Sequence, residues 1–246
     1  MRVVTMNHCA DQYALLLGAP GQVVSVSHIA VDPNLSAMVD EARKVGQNRG
    51  GAEEIYRLRP DLVLASAWSN PLAVGMLEDL GIRVARVDGV TRLADIPDRL
   101  REVGALLGRD EAAERMAGEV EARLAALPVA DRDRPEAAIF HAGGYPPVEG
   151  TPADDILAHA GYDNLASRVG RTDGGYIPVE VLLMNRPDLL ITSGLYPGSS
   201  QAEALMDHPA IAGIPRIESS AAWSCGLPAT LDAVETLIGM RRPPSE

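Results

Sequence analysis

The chain has 246 residues, room for one large domain or two lobes of ordinary size, and 46% hydrophobic against 23% charged residues is the balance of a globular protein. Its 22 Lys and Arg against 34 Asp and Glu leave a net charge of −12, which argues against nucleic acid or an anionic membrane as the main partner. No run reaches the roughly 18–20 apolar residues that a membrane-spanning helix requires.

Residues 2–5 already read as a strand, with no secretory leader ahead of them. Either the chain works in the cytoplasm or a leader has been removed. Further strands are predicted at 22–27, 62–66 and 82–87, with helical runs between them at 11–18, 36–43, 52–58 and 71–80. Asp11 is placed to cap the first of these helices and Gly18 to end it. Residues 110–127 read as one long helix, with Glu111 and Glu114 in its first turn and Ala113, Met116, Val120, Leu124 and Leu127 as an apolar stripe. Pro128 stops it, and the polar stretch 130–135 marks a candidate domain boundary. The pattern then restarts, with strands at 137–141, 189–193 and 216–218 and helices at 152–160, 179–185 and 228–240. Alternation of this kind predicts parallel α/β architecture.

Two internal echoes point to related halves. Arg59-Pro60-Asp61-Leu62 is matched by Arg186-Pro187-Asp188-Leu189, each closing a helix and entering a buried strand. A fainter echo links the stretch from Asp11 to Gly18 with that from Asp154 to Gly161.

In a parallel sheet, ligands bind beyond the carboxyl ends of the strands. The residues there are Asn7, His8 and Cys9 after the first predicted strand, His28 after the second and Trp68 after the third. In the second half they are His141 and Tyr145, then Tyr196, then Trp223, with Tyr176 ahead of a helix. Aromatics make up only 4% of the chain, so their gathering at strand ends suits a large, flat, partly apolar ligand. The plain alternative is that Trp68 and Trp223 cover core edges and that the histidines are merely hydrogen-bonded nearby. Tyr13 and Tyr56 read as packing residues, and His159 and His208 as surface or capping residues.

Catalytic patterns are weak. There is no Gly-x-Ser-x-Gly elbow, no Walker-type phosphate loop and no His-Glu-x-x-His. After Gly143-Gly144 the prolines Pro146 and Pro147 remove amide donors that a phosphate loop would need. A Cys9–His8 nucleophile is disfavoured, because adjacent residues rarely present their side chains to each other. Direct metal capture would require His8, His28 and His141 to converge on one ion, and no carboxylate obviously joins them. Tight binding of bare divalent metal is not expected. Cys9 and Cys225 have no metal-ligand spacing. With one placed in each half, they are expected to be free thiols.

The ordered series of residues resembles the helical-backbone (class III) periplasmic substrate-binding proteins of ABC importers, of the cobalamin and iron-siderophore type. The resemblance is carried by 2–11, 17–20 and 23–27, by Glu53-Glu54-Ile55 through Pro60-Asp61-Leu62, and by 80–84. In the second half it is carried by Tyr145-Pro146-Pro147, by 160–165, by Arg186-Pro187-Asp188 and by Trp223. It covers nearly the whole chain.

The resemblance implies two Rossmann-like α/β lobes with central parallel sheets, residues 1–108 and 129–246, joined by one long helix at 109–128, with the ligand in the cleft between them. It implies a binding protein rather than an enzyme, with no cofactor of its own, acting as a monomer. Its partners would be a metal chelate (corrinoid, ferric siderophore or haem) and an ABC permease with its ATPase. The expected location is periplasmic or lipid-anchored at the cell surface. In cobalamin-binding relatives, aromatic side chains at positions comparable to Trp68 and Trp223 line the cleft. Those relatives engage the permease through one glutamate per lobe, yet 68–74 and 223–231 contain no Glu here. Arg171 is the one arginine well placed for an anionic siderophore. An enzyme of chelatase or dehydratase type on similar lobes is the alternative of a different class.

Overall fold

The computed structural model describes residues 1–128, 133–140, 150–170, 177–193 and 208–241. Two parallel sheets organise them. The first has the order β3-β2-β1-β4-β5, from β1 (Val3–Thr5), β2 (Val23–Ser27), β3 (Gly46–Asn48), β4 (Leu62–Ala65) and β5 (Val84–Arg86). Its connections include α1 (His8–Leu17), α2 (Val39–Ala42), α3 (Ala52–Arg57) and α4 (Pro71–Asp79). Then α5 (Ile96–Leu107) and α6 (Asp110–Ala126) lead out of it. The second sheet has the order β7-β6-β8-β9, from β6 (Glu136–Phe140), β7 (Asp163–Asn164), β8 (Leu189–Thr192) and β9 (Arg216–Glu218). With it stand α7 (Pro152–Ala160), α8 (Leu165–Arg168), α9 (Val179–Asn185) and α10 (Thr230–Met240).

Period-two alternation splits each central strand between two apolar clusters. Val3, Leu62 and Leu64 face one way and Val4, Val63 and Ala65 the other. In the second sheet Ala137, Ile139, Leu189 and Ile191 face one way, and Ala138, Phe140 and Leu190 the other. The first-named sets of both sheets belong to one continuous core, completed by α1, α5, α6, α7 and α10.

The Arg-Pro-Asp-Leu echo is structural. Arg59 (φ 49°) and Arg186 (φ 45°) are the non-glycine residues with left-handed backbone among the described residues. Each is followed by proline, which would ordinarily favour extended backbone at the preceding residue, so the same local strain is held at the same place in both halves. Asp61 accepts a hydrogen bond from the Arg2 amide (2.5 Å), and Asp188 accepts one from the Glu136 amide (2.9 Å). Each aspartate therefore pins the start of the neighbouring strand. The fainter echo is not kept in the helix ends: Gly161 is left-handed (φ 78°), whereas Gly18 is extended (φ −62°).

In α6, Ala113 and Val120 of the predicted stripe are buried in the shared core together with Ala117, while Met116, Leu124 and Leu127 are partly buried against it. A Cβ on Gly104 would lie 2.2 Å from the Ala113 Cβ, so α5 and α6 touch at a point where only glycine fits. At its far end Arg123 bonds Asp232 (2.6 Å) and Glu235 (2.8 Å) of α10, and the Pro228 carbonyl (3.3 Å). Among the described residues no helix is long and apolar enough to cross a membrane.

Two local expectations are corrected. Asn7, not Asp11, caps α1, its side chain accepting from the Cys9 amide at 3.0 Å. Asp11 is instead fully buried and accepts from Thr5 Oγ1, Ser27 Oγ and the Ser27 amide, tying α1 to β1 and β2. Burial pushes its carboxyl up from the usual range, and those hydrogen bonds oppose the shift. Tyr56 is half exposed rather than packed, while Tyr13 is fully buried as expected.

Candidate ligand-binding site

Because the strands of the first sheet run parallel, their carboxyl ends lie along one edge. Asn7 and His8 leave β1 there, His28 leaves β2, Trp68 follows β4 and Gly89 follows β5. His28 is exposed and opens a short 3₁₀ turn. His8 is half-buried, and that burial holds its imidazole below the ordinary histidine value, favouring the neutral form.

Trp68 is 90% exposed. The loop that carries it is fixed: the Ser66 amide donates to Ser69 Oγ (3.0 Å), the Ala67 amide to Asp88 (2.9 Å) and the Trp68 amide to Ser66 Oγ (3.1 Å). Asn70 then caps α4, accepting from the Leu72 amide at 3.0 Å. An indole is thus held out in solvent by a hydrogen-bonded turn.

Trp223 is placed quite differently. It is 7% exposed, sits in the 3₁₀ turn Ala221–Trp223 and belongs to the shared core. The two tryptophans do not form an exposed matched pair.

The thiol expectation is overturned. Cys9 and Cys225 form a disulfide, with Cα atoms 5.3 Å apart, and neither cysteine is free. The assumption that failed was the position of Cys225, which does not stand on an opposing rim. Its segment lies against the first sheet's edge: the Val90 amide donates to the Cys225 carbonyl (3.2 Å), and the buried Tyr13 hydroxyl donates to the Gly226 carbonyl (2.6 Å). Glycine at 89 makes this approach possible, since a Cβ there would meet Cys225 Cα at 3.3 Å.

His8 and Cys9, though adjacent, do meet: Nε2 of His8 is 3.5 Å from Cys9 Sγ. The ligating atoms of His8, Cys9 and Cys225 all lie within 4.8 Å of one another. Sequence reasoning did not find Cys225 or Gln12, whose Nε2 lies 3.3 Å from the Cys225 sulfur. The only available signal was that α1 carries Gln12 one turn after His8. His141, Tyr145, Arg171, Tyr176 and Tyr196 lie outside the described residues. His208 caps a 3₁₀ turn through Nδ1, and His159 bonds within α7, as expected of capping or surface residues.

The family model described as periplasmic binding protein matches residues 3–219, and the chain belongs to that family. Curated relatives include a cobalamin-binding protein of Halobacterium salinarum strain R1, 28% identical over 197 residues, covering 78% of this chain and 53% of the relative. The chain therefore spans about half the length of the curated relatives it matches. Among solved structures, the periplasmic haem-binding protein RhuT of Roseiflexus sp. RS-1 in apo form superposes with a TM-score of 0.78 at 22% identity, covering 96% of each chain. A periplasmic haem-binding protein of Pseudomonas aeruginosa gives 0.75 at 23% identity, covering 100% of this chain and 94% of that one. The vitamin B12-binding protein BtuF of Vibrio cholerae gives 0.68 at 18%, covering 97% and 95%. These similarities establish the fold.

Proposed function

We propose that this chain is the substrate-binding component of an ABC importer, taking up a metal chelate in a cleft between two lobes, residues 1–108 and 129–246, and passing it to a permease with its ATPase. A corrinoid is the preferred ligand. The observation that carries the reading is Trp68: a 90% exposed indole on a rigid loop at the carboxyl edge of a parallel sheet, in a chain of this family. An isolated, fixed, solvated aromatic of that kind is a stacking platform for a flat macrocycle. The cobalamin-binding relatives support the corrinoid reading.

Haem is the second reading, favoured by the imidazole of His8 at the end of β1 and by the haem-binding structures that share the fold. The protein acts as a monomer outside the cytoplasmic membrane, in the periplasm or held at the surface by a lipid. The Cys9–Cys225 bridge supports that location, since disulfides persist in oxidising compartments. No catalysis is assigned to it.

Titration with cyanocobalamin and with haemin, followed by tryptophan fluorescence, tests the reading. Corrinoid binding quenches Trp68, and Trp68→Ala weakens it by about 1–3 kcal/mol, the range for losing a buried aromatic's contact area. Because Trp68 contributes little to the core, the variant keeps its melting temperature. Unchanged affinity would remove Trp68 from the site.

A further inference from the structure

The Cys9–Cys225 bridge has a third donor beside it that a purely structural disulfide does not require. His8 Nε2 stands 3.5 Å from Cys9 Sγ, and all three ligating atoms fall within 4.8 Å. A tetrahedral zinc site with Zn–S near 2.3 Å and Zn–N near 2.05 Å sets its nitrogen and sulfur ligands about 3.5 Å apart and its two sulfurs about 3.8 Å apart. The spacing from His8 to Cys9 is already met. The sulfurs have to separate and Cys225 Sγ has to close on the imidazole, and breaking the bond between the sulfurs frees both to move.

The surroundings suit sulfur anions better than a neutral disulfide. Gln12 is fully buried, and its Oε1 accepts from the Ala37 amide (2.7 Å), which fixes the side chain with Nε2 aimed at Cys225 Sγ at 3.3 Å. A neutral disulfide sulfur uses such a buried N–H poorly, whereas a thiolate would take it as a charge-assisted hydrogen bond. Ser224 Oγ lies 3.7 Å from the same sulfur. Cys9 sits in the first turn of the ten-residue helix α1, where the backbone amides favour negative charge. Glycine at 89 leaves no side chain against the sulfurs, as a Cβ there would lie 3.1 Å from Cys9 Sγ. His8 is the partly exposed member of the three and the side from which an ion would enter.

We propose that His8, Cys9 and Cys225 form a redox-gated site for a thiophilic cation such as Zn²⁺, closed as a disulfide in the oxidised chain and open to metal once reduced. An external dithiol supplies the two electrons and two protons that convert the disulfide to two thiols, itself becoming a disulfide. The metal then displaces the two thiol protons and takes the His8 imidazole as third ligand, leaving a fourth position for water. Either form closes the same loop, across a separation of 216 residues. The proposal does not depend on a corrinoid being the chelate, whereas under the haem reading the two ligands would share His8.

The test compares oxidised protein with protein reduced by dithiothreitol and desalted without oxygen, each titrated with Zn²⁺ against a chromophoric chelator. Co²⁺ serves as an optical probe through its thiolate charge-transfer absorption. The expected result is one metal ion per reduced chain and none per oxidised chain, with intense near-ultraviolet Co²⁺ absorption. His8→Ala weakens binding about tenfold or more, and Cys225→Ser abolishes the charge-transfer pattern of two thiolates. Because loss of the bridge could unfold the Cys225 variant, reduced wild-type protein alkylated at both thiols is run beside it with circular dichroism. Failure of the reduced wild-type chain to bind Zn²⁺, binding by the oxidised chain, or binding indifferent to His8→Ala would each overturn the proposal.

Discussion

At the scale of single residues, Tyr13 bears more on the architecture than its position in a helix suggested. Its ring is fully buried, and its hydroxyl donates to the Gly226 carbonyl, joining α1 to the segment before α10. Burial pushes its phenol well above the ordinary tyrosine value, so it stays a donor throughout the neutral range. Tyr13→Phe leaves the shape intact and deprives the Gly226 carbonyl of this donor. It should cost about 1–2 kcal/mol, read from the midpoint of urea unfolding at unchanged slope. The sequence made His8, Cys9 and Trp68 visible as candidates because strand ends can be read from local pattern. It hid the bridge because Cys9 and Cys225 are 216 residues apart and nothing local to Cys225 announces that its segment crosses to the other sheet. Asn7 was overlooked as a cap for a related reason. Both Asn7 and Asp11 are good capping types, and only the fold decides that Asp11 is needed inside, against Thr5 and Ser27.

At the scale of elements, legibility followed length and apolar content. The long helix α6 was readable almost to the residue, because its stripe repeats over more than four turns. The edge strands β3 and β7 were not, being three and two residues long and mostly polar, stabilised by sheet neighbours rather than by their own pattern. Nor was α5, which carries Pro97 in its first turn and Gly104 inside, both discouraging in isolation. The structure accommodates each: proline is tolerated at a helix start, and Gly104 is where Ala113 packs. Glycines in this helix pair should therefore respond oppositely. A Cβ on Gly118 meets nothing within 4 Å, so Gly118→Ala should stabilise by about 0.5–1 kcal/mol. Gly104→Ala should destabilise, because its Cβ would overlap that of Ala113. Thermal unfolding of both variants checks the pair, and equal shifts of the same sign would contradict the packing of α5 on α6.

At the scale of the molecule, the two sheets are tied together in more ways than a single connector implies. One apolar core runs from Val3 and Leu64 through α6 to Ile139 and Leu237. Asp155 of α7 accepts from the Leu93 amide at 2.6 Å, Arg123 anchors α6 to α10, and the disulfide fixes the approach to α10 onto α1. In the chain-entropy account a bridge across so long a loop contributes about 5 kcal/mol. Opening the lobes would require exposing core surface or bending α6. On the proposed function, ligand affinity would then depend on a preformed surface rather than on wide closure. Small-angle scattering with and without saturating chelate should give nearly the same radius of gyration, and a contraction of several per cent would mean that the connection yields.

The central claim, that the chain captures a metal chelate and does not transform it, is tested most directly by one spectrum. Protein is incubated with excess cyanocobalamin, haemin or a ferric siderophore, desalted, and its visible absorbance compared with its protein content. The account predicts that the corrinoid, or failing that haem, is retained at about one equivalent per chain with its absorption spectrum otherwise that of the intact chelate. Retention of none of the three, or recovery of a chemically altered ligand, would contradict it.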